Sequence, residues 1–169
     1  MKKFKVSDIT ILALFIALGV VLKMCSVPIF DYIAKIEFFK VFVIMAACLY
    51  GPVSAGMVAG GVDVLAYILM PQAYPILPWI TLAYVLGGII AGLVFRYSGR
   101  CGELIRIILT VYVPGMITCL IVSYILLNSF FPDASLGWFF MIRLSVEIVI
   151  DIIIVYIVRM IYPVVRKWK

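Results

Sequence analysis

The sequence predicts an all-α integral membrane protein, a single domain of six transmembrane helices that covers residues 1–169. Composition is the first observation, because 67% of the residues are hydrophobic and only 13% are charged, whereas soluble domains average about 45–50% and 25%. A chain of this length cannot bury such an excess in one small core. The second observation is a series of apolar runs close to the ~20 residues that cross a bilayer.

Six apolar segments account for most of the chain. A loop with Pro28 and Asp31 is expected between the first two, and the second segment is short. Gly51-Pro52 predicts a very tight turn, since proline suits the first position of a helix. The expected spans are about Val6–Met24, Glu37–Tyr50, Pro52–Met70, Trp79–Tyr97, Leu104–Leu127 and Trp138–Tyr162.

The basic residues predict the orientation in the membrane. Ten of the fourteen basic residues lie at the chain ends or in the connection between the fourth and fifth helices. The other four are Lys23, Lys35, Lys40 and Arg143. Because basic residues concentrate on the cytoplasmic side, both termini should be cytoplasmic and the loop Pro71–Pro78 should face outside. The net charge of +6 follows from this rule and indicates no nucleic-acid partner. The ten cytoplasmic basic residues are Lys2, Lys3, Lys5, Arg96, Arg100, Arg106, Arg159, Arg166, Lys167 and Lys169.

Four charged residues are predicted to meet in the outer third of the membrane. With a rise of 1.5 Å per residue, Asp63 and Arg143 lie roughly 9 Å below the outer boundary. Lys23 and Lys40, near the outer ends of the first and second helices, are expected at similar or shallower depth. Ionisable groups inside a membrane usually face a cavity or the bundle interior. We therefore expect an outward-facing cavity for a small polar ligand.

Arg143, Glu147 and Asp151 share one side of the sixth helix, since they are spaced at i, i+4 and i+8. One interpretation is an internal series of ion pairs that holds this helix to its neighbours, which suits Glu147 and especially the deeper Asp151. For Asp63 and Arg143 we favour contact with the ligand, or mutual pairing close to it.

Aromatic residues surround the predicted mouth. Tyr67 lies one turn from Asp63, and Tyr74 and Trp79 flank the proline-rich loop. Stacking on a flat heterocycle is the functional interpretation. The alternative is an interfacial belt, because Trp and Tyr favour the membrane–water interface in any membrane protein. The belt interpretation applies more strongly to Trp138.

Catalytic and metal chemistry lack support in the residues. The chain has no histidine, and its four cysteines are scattered without a CxxC pair, so neither a metal site nor a disulfide framework is indicated. No GxxxxGK[ST] phosphate loop occurs. We expect no catalytic residues and no cofactor.

Small residues recur at four-residue spacing, which lets helices approach closely. Ala13 and Ala17 lie on the first helix, and glycine and alanine pairs lie on the third and fourth. Pro114-Gly115 in the fifth helix predicts a kink.

The order of these motifs resembles the substrate-binding (S) components of energy-coupling factor (ECF) vitamin transporters, most closely the folate family. The resemblance covers nearly the whole chain: a basic start leading into ALFIAL, a second helix closing with LYGP, then GGVDVLAYILMP, a proline loop, P-x-x-TL and a sixth helix with MIR near its start. Two features depart from the pattern: Glu37 and Lys40 in KIEFFK, and Trp79, where the family often has glycine.

The resemblance implies a multi-pass protein of a prokaryotic plasma membrane that binds a vitamin with high affinity from outside. Such a protein is not an enzyme, and it works with a transmembrane coupling protein and two ATPases. It is thought to topple in the membrane to deliver the ligand. In the family, an AxxxA motif on the first helix docks onto the coupling protein, and Ala13 and Ala17 match that motif.

We therefore expect an S component for a folate. Asp63 could receive the 2-amino-pyrimidine edge of a pterin in a paired hydrogen bond, with Trp79 or Tyr74 stacked on the ring. The glutamate carboxylates would then meet basic residues. Alternatives are another vitamin or heterocyclic precursor, which Glu37 and Lys40 motivate, and more remotely a small membrane enzyme or scaffold. The basic residues proposed for the carboxylates are Arg143, Lys40 and Lys23.

Overall fold

The computed structural model describes residues 6–29, 34–69, 78–100, 102–130 and 135–166. These ranges contain six helices, one pair of short strands and a 3-10 turn that follows the fourth helix. The all-helical prediction is confirmed, with the strands as an addition. The helices are α1 (Val6–Met24), α2 (Lys40–Tyr50), α3 (Pro52–Leu69), α4 (Pro78–Tyr97), α5 (Glu103–Phe130) and α6 (Leu136–Arg166); the strands are β1 (Val27–Ile29) and β2 (Ala34–Ile36).

Five helices of the described ranges are long and apolar enough to cross a membrane: α1, α3, α4, α5 and α6. The exception, α2, has 11 residues and is therefore about 16 Å long. A bilayer core is about 30 Å thick, so α2 is only about half as long as a full crossing requires. The helix begins at Lys40 and not at Glu37 as predicted, because residues 38 and 39 form a turn that precedes it.

A β-hairpin stands where the sequence predicted a plain loop. β1 and β2 pair antiparallel, with Val27 opposite Ile36 and Pro28 opposite Lys35. Proline is tolerated here because a two-stranded ribbon consists of edge strands. Asp31 lies outside the described residues. The hairpin follows α1 directly and leads the chain into α2, so it closes one end of the helix bundle, which we call the hairpin end.

The opposite end of α2 has the predicted tight turn. Gly51 adopts a φ of 95°, a left-handed conformation that glycine reaches without steric cost. Its N–H donates to the carbonyls of Ala46 and Ala47 at 3.2 Å, which satisfies the end of the helix. Pro52 then opens α3, so α2 and α3 are antiparallel neighbours.

Glycines bring the backbones of α3 and α4 into contact. A Cβ on Gly92 would lie 2.3 Å from Cα of Pro52, and one on Gly88 would lie 2.7 Å from the carbonyl oxygen of Ala55. Both distances are impossible for real atoms, so these positions require glycine. The small-residue spacing in the sequence thus marks a helix–helix contact, as predicted.

A similar close approach joins α5 to α6. α5 continues as one helix through Pro114-Gly115. A Cβ on Gly115 would lie 2.7 Å from Oδ2 of Asp151 on α6. One turn later, the hydroxyl of Thr118 donates to the carbonyl of Pro114 at 2.7 Å. The middle of this helix pair is therefore polar, although both helices are otherwise apolar.

Large apolar side chains cover the outside of the bundle. Leu14 on α1, Ile68 on α3, Leu120 on α5 and Met160 on α6 are all exposed. An exposed apolar surface of this extent would be costly in water. Together with the five long apolar helices, it indicates a multi-pass membrane protein.

Candidate functional site

Three helices meet at Asp63 near the hairpin end. Lys23 of α1 forms an ion pair with this carboxylate, and Thr81 of α4 donates its hydroxyl to the other oxygen. Asp63 lies six residues before the end of α3, about 9 Å along the helix axis. Because α1 ends one residue after Lys23, the end of α1 lies at this same level. The predicted convergence of Lys23 and Asp63 is confirmed.

Two aromatic rings enclose the ammonium group of Lys23. Its Nζ lies 4.7 Å from the ring centroid of Phe39 and 4.5 Å from that of Tyr84. The two rings pack edge to face with their centroids 5.4 Å apart. Both ring positions fall in the range of cation–π contacts. Lys23 therefore has an anionic partner and two ring partners in a largely buried setting.

Glu37, which looked out of place in the sequence, has a defined partner. The hydroxyl of Tyr84 donates to Oε2 of Glu37 at 2.9 Å. Glu37 is only 8% exposed, so this hydrogen bond offsets part of the cost of burying its charge. Nearby on β2, Lys35 lies close enough to Glu37 to interact with it electrostatically. The hairpin thus brings charged groups into the bundle.

A second ion pair lies deeper, between Lys40 at the start of α2 and Glu147 of α6. Glu147 is 11 residues into α6, about 16 Å along its axis. The prediction that Lys40 lies no deeper than Asp63 is wrong, because the hairpin and the turn at residues 38 and 39 carry the chain inward before α2 begins. The ion-pair interpretation is confirmed for Glu147.

Arg143 connects α6 to α5. It lies close enough to Cys119 of α5 to interact with it electrostatically. It also lies close enough to Tyr84 and Lys35 to interact with both electrostatically. Arg143 therefore lies near two residues of the group around Asp63.

A cavity of about 40 Å³ lies between α2, α3, α4, α5 and α6. This space admits a water molecule or a small chemical group. Asp151 in its wall is 2% exposed, and within the described residues its Oδ1 has no hydrogen-bond partner. The ion-pair interpretation is not confirmed for Asp151. The polar residues of the lining are Lys40, Tyr84, Thr118 and Asp151, and apolar and glycine residues such as Phe39, Gly87, Gly88 and Gly115 complete it.

The remaining predicted residues lie towards the outside or beyond the described ranges. Trp79 at the start of α4 is 66% exposed, which favours the interfacial-belt interpretation over ring stacking. Tyr67 is half-buried on α3. Tyr74 lies outside the described residues. Ala13 and Ala17 are both exposed on α1, one turn apart.

Sequence reasoning missed four residues of this region as site members: Glu37, Thr81, Tyr84 and Asp151. Tyr84 and Thr81 share one side of α4 at a spacing of three, which also faces Asp63 and the hairpin. Once Asp63 on α3 is known to belong to the site, this spacing identifies Thr81 and Tyr84 as candidate neighbours. Asp151 had been assigned to an ion-pair series because of its spacing from Glu147, and spacing alone does not say which neighbour is present.

No cluster of three or more His, Cys, Asp or Glu side chains suited to a metal ion occurs in the described ranges. The geometry combines two buried ion pairs, two aromatic rings and a small cavity with an acid in its wall. Such a site can bind and orient a polar, partly aromatic molecule.

The sequence matches the model of a known protein family. The sequence model described as "ECF transporter, substrate-specific component" matches residues 7–166, which is nearly the whole chain. No curated protein matches the sequence closely enough to count as a relative.

Proposed function

The chain belongs to the family of ECF transporter substrate-specific components, and from this premise we propose that it captures a folate at the hairpin end. Members of the family are substrate-binding subunits of transporters that bind small molecules and work with a coupling protein and ATPases; they are not enzymes. That membership removes the alternative of a small membrane enzyme or scaffold. The identity of the vitamin is our proposal.

The distribution of charge is the observation that carries the folate proposal. The layer at the hairpin end has three cationic side chains against two carboxylates, and the deeper layer has one cation against two carboxylates. A ligand with an anionic tail and a hydrogen-bond-donating head would match this polarity if the head entered first. A folate has this form, with a pterin head and a glutamate tail. The first layer is Lys23, Lys35, Arg143, Glu37 and Asp63, and the second is Lys40, Glu147 and Asp151.

Roles for individual residues follow from this orientation. Arg143 and Lys23 would attract the glutamate carboxylates, and the rings of Phe39 and Tyr84 would border the pterin. Tyr67 would line the entrance, and Trp79 would lie beside it at the membrane interface. Lys40 is paired with Glu147 and would contact the pterin head more than the glutamate tail.

The membrane arrangement that we propose has six crossings and cytoplasmic termini. The hairpin and α2 together would make the second crossing, since α2 alone has half the length required. The hairpin end would then face outside, and Arg96, Arg106 and Arg159 would lie towards the cytoplasm, in accord with the excess of basic residues there. The location would be a prokaryotic plasma membrane, and the ECF partners would include two ATPases.

The proposal is tested by purifying the chain in mild detergent and identifying any tightly bound small molecule by mass spectrometry. Folic acid is then titrated onto ligand-free protein by calorimetry. We expect a folate in the first experiment and saturable binding, at micromolar concentration or below, in the second. Retention of a different vitamin, with no heat from folic acid, would overturn the folate proposal and keep the transporter class.

A further inference from the structure

Asp151 is a buried acid whose hydrogen bonding is incomplete. Its carboxylate lies on α6 in the wall of the cavity, is 2% exposed, and within the described residues has no hydrogen-bond partner at Oδ1. A buried carboxylate without partners is expensive, and most buried polar atoms in folded proteins are satisfied. The exception therefore needs an explanation.

The other polar side chains of the cavity already use hydrogen-bonding capacity on the protein. The ammonium of Lys40 pairs with Glu147, and the hydroxyl of Tyr84 donates to Glu37. The hydroxyl of Thr118 donates to a carbonyl of its own helix. Among these side chains, the atom without a hydrogen-bond partner in the described residues is Oδ1 of Asp151, which can act as an acceptor.

The surroundings of Asp151 favour a donor or a cation as its partner. Lys40 is the cation of the deeper layer, and it already neutralises Glu147. A ligand carboxylate placed beside Asp151 would meet a like charge in a low-dielectric setting, which is strongly unfavourable. An amino group or a ring N–H would instead make a charge-assisted hydrogen bond.

Resting on the function proposed above, we propose that Asp151, and not Asp63, accepts the N–H donors of the ligand's nitrogen heterocycle. Asp63 is engaged by both Lys23 and Thr81, so its oxygens have partners before any ligand arrives. The cavity of about 40 Å³ suits the amino-bearing edge of a ring, and the rest of the molecule would extend towards the hairpin end.

The first test compares Asp151→Asn with the wild-type chain, both purified full length in detergent and titrated with folic acid by calorimetry. We expect the substitution to weaken binding by about 30-fold, since a hydrogen bond to a charged group is lost. The matched control is Ser54→Ala, because Ser54 also has a buried oxygen without a partner in the described residues but does not line the cavity. Its affinity should stay within about threefold of wild type.

Thermal unfolding without ligand separates a binding role from a structural one. Replacing a buried acid whose Oδ1 has no hydrogen-bond partner in the described residues should leave the melting temperature of Asp151→Asn unchanged or higher. A structural role would lower that temperature and leave affinity unchanged in the folded fraction. An affinity within about threefold of wild type in Asp151→Asn would overturn the proposal.

A second test needs no variant and changes the ligand instead. Wild-type protein is titrated with folic acid, with its analogue that lacks the 2-amino group, with thiamine, and with lipoic acid, which has no N–H donor. Weaker binding of the analogue by at least about tenfold supports the proposal, and so does binding of thiamine over lipoic acid. Equal binding of the analogue, or a preference for lipoic acid, overturns the proposal and leaves vitamin capture intact. Binding of none of the four overturns the proposed function together with it.

Discussion

Lys23 has more partners than its position near a helix end would suggest. Its ammonium group pairs with Asp63 and lies over the rings of Phe39 and Tyr84. Both members of the ion pair are largely buried, so the desolvation cost is offset only while both charges are present. Removing one of the two charges should therefore lower the stability of the protein more than removing both.

Replacing Lys23 with methionine should lower the free energy of unfolding by about 3 kcal/mol, because it leaves a buried carboxylate without its cation. The double variant Lys23→Met with Asp63→Asn should recover part of that loss, since no unpaired charge remains. Thermal or denaturant unfolding in detergent measures both. Arg159→Met, at an exposed position, is the control and should change stability by less than about 0.5 kcal/mol. Equal effects of the Lys23 and Arg159 substitutions would contradict the ion-pair role.

The hydroxyl of Tyr84 holds Glu37 of the hairpin region against α4. Tyr84→Phe removes this donor and keeps the ring, so it should cost about 1–3 kcal/mol for a buried acid left without a hydrogen bond. Tyr156→Phe is the matched control, since Tyr156 is 65% exposed. The two variants are compared by thermal unfolding. If their melting temperatures fall by the same amount, the bond to Glu37 contributes nothing to stability.

The contact between α3 and α4 depends on backbone approach and not on side-chain fit. Gly88 and Gly92 lie against Ala55 and Pro52, at distances where any Cβ would overlap backbone atoms. Backbone atoms cannot rotate away as a side chain can. The two helices would have to separate to accommodate even a methyl group, and α4 carries both Thr81 and Tyr84.

Gly92→Ala should consequently destabilise the protein by about 1–3 kcal/mol, the usual range for overpacking a tight contact. Gly137→Ala is the matched control: Gly137 is also helical, and a Cβ there meets nothing within 4 Å. Alanine is the better helix former, so the control should be neutral or slightly stabilising. Unfolding experiments in detergent compare the two. A neutral Gly92→Ala would mean that α3 and α4 can separate without penalty.

The hairpin explains why some parts of the site were predictable and others were not. Lys23 and Asp63 could be placed together because both belong to long helices whose ends the apolar runs define. Lys40 could not be placed correctly, since its depth depends on where α2 begins. That start is set by a hairpin whose short strands have no clear period in the sequence.

Asp151 illustrates a different limit. Helical spacing places it on the same side of α6 as Glu147, but the position of Lys40 decides which acid is paired. Because α2 packs against α6, Lys40 pairs with Glu147, whereas Asp151 lies against Gly115 of α5. Such a choice depends on tertiary contacts, which periodicity does not encode. The fold was therefore more predictable from the sequence than the partners within the site.

Capture of the ligand and docking to the coupling protein should use separate parts of the molecule. The proposed ligand site reaches α1 only at Lys23 in its last turn, whereas Ala13 and Ala17 are exposed farther along that helix. Neither alanine lines the cavity. If small residues at this spacing let a partner helix approach closely, a large side chain should block docking without changing the ligand site.

We expect Ala17→Trp to bind folic acid with an affinity within about threefold of wild type and to lose co-purification with the coupling protein and ATPases. Uptake of labelled folate into vesicles containing all partners should fall to background, because the captured vitamin would have no energised partner. Met57→Trp is the control: it places the same side chain at an exposed site on α3 and should retain both assembly and uptake. Assembly of Ala17→Trp at wild-type levels would place the docking surface elsewhere, and weakened binding of folic acid in this variant would show that α1 and the ligand site are coupled.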